Sequence, residues 1–191
     1  MNEKEVKKCS FFGHRNIEIT DELKQKLKVV VEDLITKNNV YNFLFGSRSN
    51  FDSLCRIVVT DLKEKYENIK RIVYTGKSES CILETERKEW EDIYSKLKKQ
   101  TVNLIGVEQE FEHKTKYISG KASYVERNYA MINDSDFCVF YYDDKYMPDI
   151  RKRGKKSMWT YQPRSGTSLA YNYAKQKKKH IINLHNYQSV D

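Results

Sequence analysis

The sequence predicts an α/β fold with a doubly wound, mainly parallel β-sheet and helices on both of its faces. Short apolar segments typical of strands alternate along the chain with longer amphipathic segments typical of helices. Crossover helices of ten or more residues favour parallel pairing of the strands they connect. The longest apolar run, residues 137–142, is typical of a strand that is buried on both faces.

The first half of the chain gives clear element signals. Residues 8–12 predict the first strand, and Thr20 is a helix start signal before a helix whose apolar residues between 23 and 35 recur on one face. Residues 41–45 predict the second strand. Residues 51–66 then predict a second amphipathic helix with one apolar side.

The second half continues the alternation with weaker signals in its first part, and residues 106–119 give no assignment. Its predicted elements are, in chain order, a strand at 69–74, a charged helix around Trp90, an edge strand at 102–105, a helix through 125–132, the strand at 137–142, a helix from about 166 and a strand at 180–184. We therefore expect one domain over residues 1–191. It has a long basic connection at 143–165, which we expect to form a flexible flap over a ligand.

The net charge of +8 is concentrated in two short clusters, residues 151–156 and 175–179, which together hold nine cations. Without them, 26 basic residues face 27 acidic ones, so the rest of the surface is not basic. The clusters could attract a polyanion or complement one phosphorylated small molecule. They are also consistent with a solvated loop and with a helix end whose cations complement the helix dipole.

Neither a membrane span nor a signal peptide is expected, because no apolar stretch approaches about 18 residues and the first residues are polar and charged. The four cysteines, Cys9, Cys55, Cys81 and Cys138, form no CxxC pair, which argues against a structural zinc site or a disulfide framework. We expect a cytoplasmic protein without a metal or cofactor and without a membrane partner.

Glycine and small polar residues follow four of the predicted strands. They occur at residues 13–15, 46–50, 75–78 and 164–168. The carboxyl ends of parallel strands share one sheet edge, where α/β proteins place their ligands. Glycine allows close approach of the backbone, and a helix N-terminus attracts phosphate. These loops contain neither a Walker A loop nor a GxGxxG fingerprint, so the usual ATPase and dehydrogenase motifs are missing.

Four motifs in chain order resemble the YpsA/YoqJ-like branch of the SLOG superfamily, which includes the Smf/DprA proteins and the LOG phosphoribohydrolases. They are SFFGHR at 10–15, FGSRSNFD at 45–52, RNYAM with DSD at 127–136, and GT with YA between 166 and 174. The resemblance extends over roughly residues 8–185. It implies a Rossmann-like domain of bacterial origin that binds nucleotides or molecules derived from them, such as ADP-ribose-like ligands in signalling.

The resemblance also implies where the ligand would bind. Arg15 and Arg127 would meet phosphate or ribose, because guanidinium groups match phosphate oxygens. The residues expected to line the site are Gly13, His14, Arg15, Gly46, Ser47, Arg48, Thr75, Gly76, Arg127, Asn128, Ser165, Gly166, Thr167 and Ser168. Tyr141 and Tyr142 are better explained as buried strand residues, whereas Trp159 and Tyr161 lie in the long connection, where they could stack on a base.

One departure from the family pattern bears on catalysis. Ala170 stands where the LOG hydrolases carry the glutamate of their PGGxGTxxE element, and an alanine gives no acid–base assistance to a leaving base. Glu126 and His14 are weak catalytic candidates. Asp52 is better explained as a residue of a helix start.

These observations favour a nucleotide-binding module, either a sensor or a sequestering protein, over an enzyme. The first alternative is a nucleotide N-glycosidase or phosphoribohydrolase-like hydrolase. The second is single-stranded nucleic-acid binding in the manner of DprA, for which the two basic clusters are the supporting feature. Association into a homo-oligomer is left open.

Overall fold

The computed structural model of the chain describes residues 5–46, 49–76, 107–113, 121–146 and 165–187. The elements within these ranges alternate between strands and helices. They are β1 (Lys7–Gly13), α1 (Asp21–Asn38), β2 (Val40–Phe45), α2 (Asn50–Lys63), β3 (Lys70–Gly76), β4 (Gln109–His113), α3 (Lys121–Asp134), β5 (Phe137–Tyr141), α4 (Gly166–Gln176), β6 (His180–Asn183) and a 3-10 turn (Leu184–Asn186).

The described strands form one sheet in the order β4-β3-β2-β1-β5-β6, and every neighbouring pair is parallel. Strand β1 lies at the centre, between β2 and β5, and the strand order reverses there. Each described helix carries the chain back from one parallel strand to the next in the sequence, as the alternation of elements predicts. The predicted Rossmann-like α/β fold is therefore confirmed.

Helices α1 and α2 cover one face of the sheet and pack on β1, β2 and β5 residues such as Phe11 and Phe43. Thr20 caps α1 by accepting the N–H of Leu23, and Asn39 ends the helix in the left-handed conformation, with φ of 60°. The apolar face predicted for α1 is buried in full, and its members are Leu23, Leu27, Val30, Val31, Leu34 and Ile35.

Helices α3 and α4 cover the opposite face. Met131 of α3 and Ala170 of α4 are buried in one apolar cluster with the β1 residue Phe12 and the β5 residue Phe140. Because successive strand residues point to opposite faces, Phe11 and Phe12 serve the two different cores. The helices on both faces, together with the parallel strands, leave the ends of the strands as the places where a ligand can reach the sheet.

The edge strand β4 lies in the stretch that the sequence left unassigned. Its five residues include Phe111, which is 41% exposed, and no apolar run. The strand is held by parallel pairing with β3 and by the ion pair between Glu108 and Arg71, contacts that a local sequence pattern does not reveal. The strand predicted at 102–105 and the helix around Trp90 lie outside the described residues.

Candidate functional site

The carboxyl ends of β1, β2 and β5 lie together at one edge of the sheet. Gly13, the last residue of β1, is opposite Tyr141, the last residue of β5. Phe45 ends β2 on the other side of β1, and Gly46 follows it directly. This edge, at the point where the strand order reverses, is the candidate site.

Gly13 permits the first turn of α2 to lie directly against the end of β1. A Cβ atom on Gly13 would be 2.4 Å from the Cβ of Phe51, a distance that real Cβ atoms do not show. The backbone N–H of Asn50 donates to the carbonyl of Arg15 at 3.0 Å, which joins the same two elements again. The side chain of Arg15 is exposed at this edge.

Gly46 admits an arginine to the end of β2. A Cβ atom there would lie 3.0 Å from Nε of Arg127 and 2.8 Å from Sδ of Met131, both residues of α3. Arg127 is only 3% exposed, and its Nη2 donates to Oδ1 of Asn128 at 3.1 Å. Its guanidinium also lies over the ring of Tyr124, 5.5 Å from the ring centroid. A buried guanidinium from the second half of the chain thus reaches the glycine turn of the first half.

Two more of the predicted residues, Thr75 and Gly76, lie at the same edge, farther from β1. Thr75 is buried beside the end of β3, and Gly76 is the last residue of that strand. The predicted residues Ser47 and Arg48, which follow Gly46, lie outside the described residues.

The start of α4 is also at this edge, because α4 carries the chain back from β5 towards β6. Ser165 caps the helix by accepting the N–H of Ser168 at 3.0 Å, and both Ser165 and Thr167 are buried. At Gly166, apart from its two chain neighbours and the backbone of α4, no described atom lies within 4 Å of the position of a Cβ. The N-terminal end of the helix therefore brings a positive dipole end and an open backbone to the edge.

His14 follows Gly13 and is 2% exposed. Its Nε2 accepts the backbone N–H of Asp143 at 3.0 Å and is 3.1 Å from the carbonyl oxygen of the same residue. The ring stacks on Tyr146 at a centroid distance of 3.8 Å. Burial lowers the pKa of His14, and the Asp143 carbonyl and carboxylate oppose that effect.

The contacts of His14 to Asp143 and Tyr146 were not foreseen from the sequence. The available signal was the pair of acidic residues directly after the strand at 137–142, in a loop that the fold sends to the carboxyl edge. Tyr142 differs from its predicted place in a buried strand, because it follows the end of β5 and stacks half-buried on Tyr171 of α4. Tyr141 is in β5 and is also only half-buried.

The basic cluster at 175–179 lies at the opposite edge of the sheet, because α4 ends at Gln176 and leads into the start of β6. Lys179 donates to the carbonyl of Asn133 at 3.0 Å, at the C-terminal end of α3. Lys179 thus stabilises the C-terminal end of α3, whose dipole its charge complements, and it lies away from a ligand at the carboxyl edge. Residues 147–164 lie outside the described residues, and with them the predicted flap, the cluster at 151–156, Trp159 and Tyr161.

The carboxylates considered for catalysis occupy different environments. Asp52 is buried in the first turn of α2, where Ser49 accepts its backbone N–H. Glu126 precedes Arg127 on α3 and is half-buried. Within the described part of the chain, no three histidine, cysteine, aspartate or glutamate side chains are grouped as metal ligands would be. The described cysteines Cys9, Cys55 and Cys138 are free thiols whose pKa burial raises.

The chain was compared with known proteins in three ways, and two of the comparisons found matches. It is 32% identical over 162 residues to the uncharacterized SPbeta prophage-derived protein YoqJ of Bacillus subtilis (strain 168), and the match covers 81% of both chains. Among solved structures, it is similar to DNA processing protein A of Helicobacter pylori, described there in a single-stranded DNA binding mode. That match has a TM-score of 0.48 and 17% identity and covers 91% of this chain but 63% of the other. No protein-family model matches.

Helices of the described residues all fall short of the length and apolar character that crossing a membrane requires. The identity and coverage of the match to YoqJ are those of homologous proteins with the same domain. The chain therefore belongs to the family of the prophage-derived protein YoqJ.

Proposed function

We propose that this chain binds a nucleotide or a nucleotide derivative at the carboxyl edge of its sheet, as a sensor or sequestering module of SLOG type. The observation that carries the proposal is the Arg127 guanidinium, which lies 3.0 Å from the Cβ position of Gly46 beside the central strand β1. A buried arginine at a glycine turn, where the strand order reverses, suits the recognition of a phosphate group.

The other groups at the edge support the same class of ligand. The α4 N-terminus offers backbone N–H groups next to Gly166, which itself has no side chain to obstruct a phosphate. Arg15 adds an exposed cation just beyond the end of β1. Arginine forms two parallel hydrogen bonds with phosphate oxygens, so a phosphorylated ligand matches both arginines better than a neutral one.

The test is a thermal unfolding screen with AMP, ADP-ribose, NAD and cyclic dinucleotides. A ligand present at 100 times its Kd stabilises the folded state by about 2.7 kcal/mol, which raises the Tm of a protein of this size by about 5–10 °C. One ligand class is expected to give this shift. Mass spectrometry of small molecules released from the purified, heat-denatured protein identifies the ligand independently.

Matched variants locate the binding site. Arg127→Gln is expected to abolish the shift, and Arg127→Lys to reduce it, because lysine keeps the charge but loses the planar fork. Lys177→Gln removes one exposed charge at the opposite edge of the sheet, where Lys177 lies over the ring of Tyr173, and is expected to bind as the wild type does. Nucleotide binding that is equal in Arg127→Gln and the wild type would refute the assignment of the site.

The same protein preparation separates the alternatives. Release of free base from AMP, lost on Glu126→Gln, would identify a hydrolase. Binding of a single-stranded oligonucleotide with an affinity that falls steeply with salt would indicate a nucleic-acid partner. If Lys177→Gln weakened that binding and Arg127→Gln did not, the nucleic acid would bind at the amino edge of the sheet.

A further inference from the structure

One nitrogen of the His14 ring is committed to the backbone. Nε2 accepts the N–H of Asp143 at 3.0 Å, and a nitrogen that accepts a hydrogen bond carries no proton. The other neutral form would place a proton on Nε2 facing that N–H group, with the Asp143 carbonyl at 3.1 Å as its acceptor. In the neutral ring, the Asp143 N–H therefore favours the proton on Nδ1.

The second nitrogen has a different environment. Nδ1 of His14 is buried and has no hydrogen-bond partner among the described residues. Tyr146 stacks on the ring, and Tyr142 lies 5.8 Å away, so aromatic contacts surround the imidazole. A buried donor without an acceptor is costly, and it persists in folded proteins where another molecule satisfies it. His14 lies between Gly13 and Arg15, at the edge where the ligand is proposed to bind.

We propose that His14 is held as the neutral Nδ1–H form and donates this hydrogen bond to an oxygen atom of the bound nucleotide. This inference rests on the proposed function and adds to it a neutral donor beside the two arginines. Asp143 fixes the ring through Nε2, so it acts as the positioning residue, and His14 touches the ligand. The His14 imidazole thus contacts both Asp143, at the beginning of the long connection, and the ligand.

Two amide substitutions distinguish the roles of the two ring nitrogens of His14. His14→Asn places an amide N–H near the position of Nδ1, whereas His14→Gln places one near Nε2 and leaves the Nδ1 position without a donor. We expect His14→Asn to bind AMP or ADP-ribose more weakly than the wild type, because it leaves the Asp143 N–H without its acceptor, but more tightly than His14→Gln. His14→Gln should bind at least tenfold more weakly while its circular dichroism spectrum remains that of the folded protein.

The ring itself is observed by ¹⁵N NMR of histidine-labelled protein without nucleotide. The expected spectrum at neutral pH shows a protonated Nδ1 and an unprotonated Nε2, and addition of AMP or ADP-ribose should shift the Nδ1 resonance. A spectrum with the proton on Nε2, or equal nucleotide affinity in His14→Gln and the wild type, overturns this inference alone. A wild-type protein that binds none of AMP, ADP-ribose, NAD and cyclic dinucleotides refutes the proposed function together with it.

Discussion

Gly13 and Gly166 are both glycines of the candidate site, but they tolerate a methyl group very differently. At Gly13, the added Cβ would lie 2.4 Å from the Cβ of Phe51 and 2.6 Å from its Cγ and Cδ1. Carbon atoms in contact are about 3.5–4.0 Å apart, so more than 1 Å of movement is needed. Phe51 is fully buried in the first turn of α2 and cannot swing away.

The magnitude follows from this clash. Overpacking in a core costs about 1–3 kcal/mol, and only part of that is offset by the lower chain entropy of unfolded alanine. For a chain of this length, Gly13→Ala should lower Tm by about 3–10 °C. The methyl group of Gly166→Ala meets no described atom within 4 Å outside its two chain neighbours and the backbone of α4. It lies in the first turn of the helix, so the substitution should leave Tm unchanged or raise it slightly.

The assay is thermal unfolding of both variants and the wild type, followed by circular dichroism, with urea denaturation as a second measure of the free energy of unfolding. If Gly13→Ala is as stable as Gly166→Ala, α2 does not lie against the end of β1 as described. The close packing of α2 on the end of β1, on which the description of the carboxyl edge depends, would then be refuted.

Two further predictions concern neighbouring contacts. Gly46→Ala should cost about 1–3 kcal/mol, because the Met131 side chain can adjust but the backbone carbonyl of Tyr74, 3.0 Å from the added Cβ, cannot. It should also weaken nucleotide binding about tenfold by displacing Arg127; equal binding would exclude the guanidinium from recognition. Although burial alone would raise the pKa of Glu108, hydrogen bonds from Arg71 and an ion pair with Lys63 lower it to about 2. Its contribution to stability is complete above the ordinary value of 4.5 and is lost as pH falls towards 2. Because its side chain is 27% exposed, we expect about 1–2 kcal/mol, absent in Glu108→Gln, from urea denaturation across that pH range.

The elements that could be predicted are those whose buried residues recur in the sequence at the regular spacing of a helix or a strand. Helix α1 is an example, because each residue of its predicted apolar face is buried and Thr20 caps it. Strand β4 could not be predicted, because its residues are polar or exposed and it depends on pairing with β3 and on the Arg71–Glu108 contact, 37 residues apart. Local pattern carries no information about such a contact.

The same distinction applies to the site. The rule that parallel strands end at one edge was sufficient to place Gly13 and Gly46 side by side. It did not reveal that Asp143 would bind His14, because these residues are 129 positions apart. Nor did charge counting separate the cluster at 175–179 from the ligand edge, since only the direction of α4 shows that this cluster lies at the other end.

Ala170 stands at the position where the LOG hydrolases, by the sequence resemblance, carry a glutamate. The residue is 1% exposed and is packed among apolar side chains that include Phe12 and Phe140. A carboxylate at this position would be buried without a partner, which costs several kcal/mol or forces the group to be protonated. We therefore expect Ala170→Glu to lower Tm by more than 10 °C and to release no base from AMP.

Asn172→Glu is the matched control, because it places the same carboxylate at an exposed position of the same helix and should leave Tm nearly unchanged. A folded Ala170→Glu variant that hydrolyses AMP would contradict this reasoning and would favour an ancestral active site that lost only one group. If Ala170→Glu lowers Tm as expected, Ala170 is part of the core that positions α4. Hydrolysis would then need another carboxylate, such as Glu126.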